Sequence, residues 1–147
     1  VALPRAGRDR PCCPDDSCGF VFWDNPLPVV AAIVEHDGLV VLARNHGWPD
    51  KMYGLVTGFL EKGETPEEGI VREVAEELGV DADVRSMVGV YPFIQRNELI
   101  VAYHVTATGE ITLGDELAGI KRIPPEKLRP WPFGTGLAVR DWLAARS

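Results

Sequence analysis

Long apolar runs are missing from this sequence. The longest, Leu27 to Val34, is far short of the roughly 20 residues a membrane-crossing helix needs. No basic, apolar, small-residue leader stands before it, so no membrane role is expected. Basic charge is also scarce. Lys and Arg number 15 against 22 Asp and Glu, giving a formal net charge of −7. That argues against a surface that coats nucleic acid, which needs a basic stripe, and no nucleic-acid partner is expected. It leaves room for a nucleotide held through a metal. Three cysteines, crowded at Cys12, Cys13 and Cys18, are too few and too odd for a disulfide scaffold, and a reducing cytoplasm is the simplest home. Internal repeats and domain-splitting linkers are absent too. What remains is 147 residues, 46% hydrophobic and 25% charged, the size and balance of a single soluble domain with a real core.

Acid is what this chain has in one place. Within residues 58–80, GFLEKGETPEEGIVREVAEELGV, seven acids (Glu61, Glu64, Glu67, Glu68, Glu73, Glu76, Glu77) meet two bases, Lys62 and Arg72. The second half has helix signals at both ends: Thr65 at the N-cap, Pro66 first inside, Glu68 closing a T-x-x-E capping box, and Gly79 past the last turn. Ile70, Val71, Val74, Ala75 and Leu78 form one apolar stripe at 100° per residue. Glu73, Glu76 and Glu77 lie beside that stripe. Like charges three and four apart cost a bare helix roughly 0.2–0.5 kcal/mol per pair. A divalent cation would convert that repulsion into binding.

Gly58, Glu64, Arg72, Glu73, Val74, Glu76, Glu77, Gly79 and Val80 fit G-x5-E-x7-R-E-U-x-E-E-x-G-U, with U a bulky aliphatic. The segment resembles the Nudix box, the signature of the Nudix hydrolases, with no specified position missing. The resemblance implies an α/β fold, an α/β/α sandwich around a mixed sheet. It implies Mg²⁺ or Mn²⁺ on Glu73, Glu76, Glu77 and the Gly58 carbonyl, and an ion pair between Glu64 and Arg72 that holds the loop to the helix. All-oxygen donors suit those hard cations. Phosphoanhydride hydrolysis then needs neutralised phosphate charge, an aligned water and a proton acceptor. Family members take that base from the box or from an acidic loop residue outside it. Glu116, in GDELAGIKRI, stands where many carry such a glutamate, and it reads equally as an ordinary exposed loop acid. Asp115 is the fallback, and Glu61 either reaches the site or faces water. Arg44 is a candidate phosphate ligand or the partner of a box acid.

The resemblance implies a Nudix domain at 28–147, with residues 1–27 as an arm before it. CCPDDSCG (residues 12–19) resembles half of the zinc ribbon that some NADH pyrophosphatases of the family carry. Four zinc ligands are not on offer, so unmetallated thiols are expected. Val29–Glu35 and Leu39–Arg44 read as strands about a His36-Asp37-Gly38 hairpin turn, and Tyr53–Phe59 as a third. Val84–Gln95, Leu99–Thr106, Ile111–Leu113 and Ile120–Ile123 follow as strands. A closing helix over 135–146 should bury Leu137, Val139, Trp142 and Leu143.

The substrate reading rests on resemblance. Thr57-Gly58-Phe59-Leu60-Glu61 is similar to the A-G-F-x-E lead-in of NADH pyrophosphatases, and residues 90–95 (VYPFIQ) to their SQPWPFPxS signature, with Tyr91 in place of its tryptophan. A nucleoside diphosphate linked to another moiety is therefore the expected substrate: ADP-ribose, NADH or an FAD-like compound. Tyr91, Phe93, Phe22 and Trp23 are candidate stacking residues, each with core or interface packing as the alternative. A house-cleaning nucleoside triphosphate pyrophosphatase is the rival within the fold, and a non-catalytic nucleotide-binding module the rival outside enzymes. A homodimer is implied by resemblance alone.

Overall fold

Ten consecutive residues, Leu27–His36, make the central strand of the protein, and all from Val29 to Val34 are buried. A strand covered on both faces needs no polar alternation. Val30, Ala32 and Val34 pack with Ile70, Val74 and Leu78 of one helix, while Val29, Ala31 and Ile33 pack with Val139 and Trp142 of another. The result is a three-layer α/β/α sandwich. This computed structural model describes residues 1–146. In chain order the elements are β1 (Ala2–Arg5), β2 (Arg8–Pro11), β3 (Leu27–His36), β4 (Leu39–Asn45), β5 (Val56–Phe59), α1 (Pro66–Leu78), β6 (Asp81–Phe93), β7 (Glu98–Thr108), β8 (Leu117–Ile123) and α2 (Gly136–Arg146).

The main sheet is mixed, in order β6-β7-β3-β4-β8, with β3 and β7 parallel. On its other side β3 is shared. β4 pairs with Val34–His36 and β5 with Val29–Ala32, which sets Gly58 opposite Val30. The β3–β4 turn is Asp37-Gly38, both at positive φ, with His36 still in the strand. β1 and β2 form a separate two-stranded hairpin, so the arm is more ordered than its composition suggests.

Several expectations shift. The strand expected over Tyr53–Phe59 narrows to Val56–Phe59, with Gly54 bridged to Ala43. Ile111–Leu113 is not a strand, because its neighbourhood caps α1: Thr112 N–H donates to Leu78 O and Gly114 N–H to Glu77 O, both 2.9 Å. Orphan helix-end carbonyls are satisfied there in place of a sheet edge. Along α1, Ala75 is exposed and Val71 half-buried, while Gly69, Glu73 and Glu77 are buried. The loop laid along the helix moves the buried face toward the glutamates. In α2, Ala138 joins Val139 and Trp142 in the core; Leu137 and Leu143 are half-buried at its margin.

Candidate active site

Local chemistry fixes α1 before anything packs on it. Thr65 Oγ1 accepts from Glu68 N–H at 3.2 Å, Glu68 Oε1 accepts from Thr65 N–H at 3.1 Å, and Gly79 ends the helix at φ 67°. Tyr103 of β7 adds a tie by donating its hydroxyl to Glu67 at 2.9 Å. With the helix placed, Glu73 lies hard against β5. A Cβ on Gly58 would sit 2.0 Å from the Glu73 carboxyl carbon, so no side chain fits there. Gly114 plays the same part for the 109–116 loop, since a Cβ there would be 2.3 Å from Glu76 O. That close approach brings Glu116 into the field of Glu73 and Glu77. Sequence reading missed Gly114 as a packing glycine; its place two residues before Glu116 was the available signal.

Arg72 is the hub of the acids. Its Nη2 and Nε bond Glu64 at 2.7 and 3.0 Å, and its Nη1 reaches Glu73 at 2.8 Å and Glu76 at 3.3 Å, with Glu61 at 3.7 Å. Glu64 also accepts from Glu61 N–H, and Arg72 holds its carboxyl down to about 2. Glu73 is raised by burial, against the pull of Arg72. Glu77 has no such relief. Burial first, then Glu73, Glu116 and Glu76, push it up to about 8. A carboxyl made to hold its proton by burial and by neighbouring carboxylates is a site short of positive charge.

The structure brings together Gly58, Glu64, Arg72, Glu73, Glu76, Glu77 and Glu116. It does not bring the aromatic candidates to them. Tyr91 is buried on the α2 face of the sheet, its hydroxyl donating to Asp141 of α2 at 2.7 Å. Phe93 packs on that same face beside Phe133, ring centres 6.3 Å apart. Both rings are taken up by the α2 layer, which leaves neither free to stack a base beside the acids. Trp23 and Phe22 are exposed on the arm. Arg44 pairs with no box acid. Its Nη1 donates to Trp48 O at 3.4 Å and lies 4.0 Å from Asp50, and its buried Nε has no hydrogen-bond partner among the described residues.

A family profile described as NUDIX domain matches residues 25–142. The chain belongs to the Nudix family. The NAD-capped RNA hydrolase NudC of Mycobacterium bovis is 35% identical over 124 residues, 80% of this chain and 37% of that protein. The chain thus matches little more than a third of that relative's length. The ADP-ribose pyrophosphatase of Methanocaldococcus jannaschii is 36% identical over 81% of this chain and 74% of its own. Among solved structures, a Nudix hydrolase from Nitrosomonas europaea superposes with TM-score 0.79 at 21% identity, covering 99% of this chain and 86% of that one. It speaks for the fold.

Nudix hydrolases generally use a divalent metal such as Mg²⁺ or Mn²⁺. As the side chains stand, no three His, Cys, Asp or Glu groups among the described residues converge on one point, because Arg72 Nη1 draws Glu73 and Glu76 to itself. The residues nonetheless fit such an ion. The donors are all oxygen, Glu77 lacks a counter-charge, and Glu73 and Glu76 need only turn from one cation to another. Of the arm's thiols, Cys12 is buried, Cys13 half-buried and Cys18 exposed, and none is in a disulfide.

Proposed function

We propose that this Nudix domain is a Mg²⁺- or Mn²⁺-dependent pyrophosphohydrolase that splits a nucleoside diphosphate linked to another moiety, of the ADP-ribose or NADH type. The observation that carries this reading is Glu77. It is buried, raised to about 8, and surrounded by Glu73, Glu76 and Glu116 with no cation paired to it among the described residues. Metal bound there would be held by Glu73, Glu76, Glu77 and the Gly58 carbonyl, and would supply the charge that neutralises the phosphates. Arg72 and Glu64 hold the β5–α1 loop so that Gly58 and Glu73 keep their contact. Glu116, carried in by Gly114, accepts the proton of the attacking water as its oxygen bonds phosphorus and the bridging P–O bond breaks. Arg44, with its unpartnered Nε, is the phosphate donor outside the box.

The substrate class is supported by relatives whose names specify it: the archaeal ADP-ribose pyrophosphatase and a mouse NAD(P)H pyrophosphatase, 33% identical over 69% of this chain. A reducing cytoplasm suits the free thiols, and no described helix is long and apolar enough to cross a membrane. Pairing of two copies along β6 is the assembly this reading favours, since β6 is an edge strand that exposes Met87 and Val90. The deciding experiment incubates the protein with NADH, FAD, ADP-ribose, dinucleoside polyphosphates and nucleoside triphosphates in Mg²⁺ or Mn²⁺, and weighs the products. A nucleoside monophosphate plus a phosphorylated partner is expected. A monophosphate plus inorganic pyrophosphate, from triphosphates only, would replace this reading with the house-cleaning one.

A further inference from the structure

The N-terminal arm takes no part in the site described above, yet its surface is unusual for this chain. Among its first ten residues are three arginines and one aspartate, in a protein whose formal charge is −7. The β1–β2 register pairs Leu3 with Arg10 and Arg5 with Arg8. Paired residues share a face, and so do residues two apart along a strand. Arg5, Arg8 and Arg10 therefore stand on one side of the hairpin. Asp9, opposite Pro4, stands on the other.

None of the three guanidiniums is within 4.0 Å of a carboxylate among the described residues, although acids outnumber bases in the chain. Arg10 donates to the carbonyls of Arg5 (3.1 Å) and Trp23 (3.0 Å), and its guanidinium carbon stands 4.9 Å from the Trp23 ring centre. Arg5 donates to Pro4 O at 2.7 Å. Arg8 is exposed with no side-chain partner among the described residues. Aromatic rings flank the arginines: Phe20, Phe22 and Trp23 are 60%, 50% and 44% exposed. Arg5 and Phe20 share a small hollow of about 70 Å³ with Asp15 and Asp16. Asp15 is turned to Ser17, accepting from its N–H at 2.9 Å and its hydroxyl at 2.7 Å.

We propose that this face of the arm binds single-stranded nucleic acid, Arg5, Arg8 and Arg10 meeting phosphates while Trp23, which shares their face through the Cys12–Val21 pairing, stacks a base. Guanidiniums in no ion pair among the described residues, Arg8 exposed and Arg5 and Arg10 half-buried, beside an exposed indole are what a flexible polyanion of flat bases needs, whereas a duplex hides its base faces. Net charge spoke against such a partner, but binding responds to the local field. The arm is also tied to the catalytic sheet. Asn97 Nδ2 donates to Asp24 O at 3.2 Å and Oδ1 at 3.0 Å, and Leu27 N–H donates to Asn97 O at 3.0 Å. A strand held on the arm is thereby held to β3, the strand that positions Gly58.

The test uses the whole chain and a fluorescein-labelled, unstructured 12-nucleotide RNA, with a DNA of the same sequence alongside. Neither carries a 5′ pyrophosphate, so binding is read without hydrolysis. Anisotropy titrations between 20 and 150 mM KCl should show binding that weakens with salt. Arg8→Ala should lower the slope of log K against log salt by about 0.7, one phosphate contact on a single strand. Trp23→Ala should weaken binding at least tenfold. Arg8 supports no other residue, so its variant keeps the fold, and Arg8→Glu should weaken binding further. DNA binding like RNA marks recognition of phosphates and base faces, and RNA binding alone marks the 2′-hydroxyl; both uphold the surface. No binding at 20 mM KCl, or binding indifferent to Arg8→Ala and Trp23→Ala, overturns it. So does tryptophan emission that responds to anionic lipid vesicles and not to the oligonucleotides, the response being lost in Trp23→Ala. Hydrolysis of free NADH or ADP-ribose should be unchanged in the Arg8 variants, so failure here and failure of the pyrophosphohydrolase reading are told apart.

Discussion

At the residue scale the proposed chemistry rests on Glu77 and Gly58, and each makes a separate prediction. Without metal, Glu77 holds a proton at neutral pH because burial and three neighbouring glutamates raise it to about 8. Glutamine has nearly the shape and polarity of that protonated acid. Glu77→Gln should therefore melt at the wild-type temperature in EDTA at pH 7, while losing both turnover and the rise in Tm expected of the native protein in millimolar Mg²⁺. Retained turnover in this variant would remove Glu77 from the site. Gly58→Ala acts by steric means. Its Cβ would overlap the Glu73 carboxyl, so the variant should lose about 1–3 kcal/mol of stability in a denaturant titration and most of its activity. Which residues are acidic, and at what spacing, was legible along the chain. The protonation of Glu77 was not, because it depends on burial beneath a loop more than thirty residues away.

At the scale of elements, α1 and α2 differ in how much of them is local. The ends of α1 follow from Thr65, Pro66, Glu68 and Gly79, whose bonds stay within the helix and its caps. The role of α2 depends on its partners across the sheet, and Tyr91 shows the consequence. From its neighbours in sequence it was a stacking candidate; in the fold it bonds Asp141 and is buried with Trp142. Tyr91→Phe should remove one hydrogen bond, lowering stability by about 1 kcal/mol, read as a fall of a few degrees in Tm. Its kcat and KM should not move. A raised KM with unchanged Tm would return Tyr91 to the substrate site.

For the molecule as a whole, the acids set how stability depends on pH. In the metal-free protein Glu77 titrates near 8 folded and near 4.5 unfolded. Between those values the folded state holds a proton that the unfolded state gives up, so stability falls as pH rises from about 4.5 toward 8. Glu64 has the opposite sign. Lowered to about 2 by Arg72, it adds stability that is complete above 4.5 and is lost on acidification through 2. Thermal melts in EDTA should therefore show greatest stability in mildly acidic buffer. Mg²⁺ held by Glu77 would have to displace its proton, so the rise in Tm on adding Mg²⁺ should be larger at pH 8 than at pH 6. A rise independent of pH would mean that the ion is held elsewhere.

The chain by itself determined the family box, the capped acidic helix, most of the strands and the two-sided burial of the sheet. Each of these is written in spacing, and spacing acts between neighbours in sequence. Tertiary structure decided the rest. It buried Glu77, used Ile111–Leu113 to cap a helix in place of adding a strand, took Tyr91 and Phe93 into the α2 layer, and gathered three arginines on one face of an arm whose chain is acidic overall. Those outcomes depend on which distant surfaces meet, because desolvation, packing and local field are set by neighbours in space.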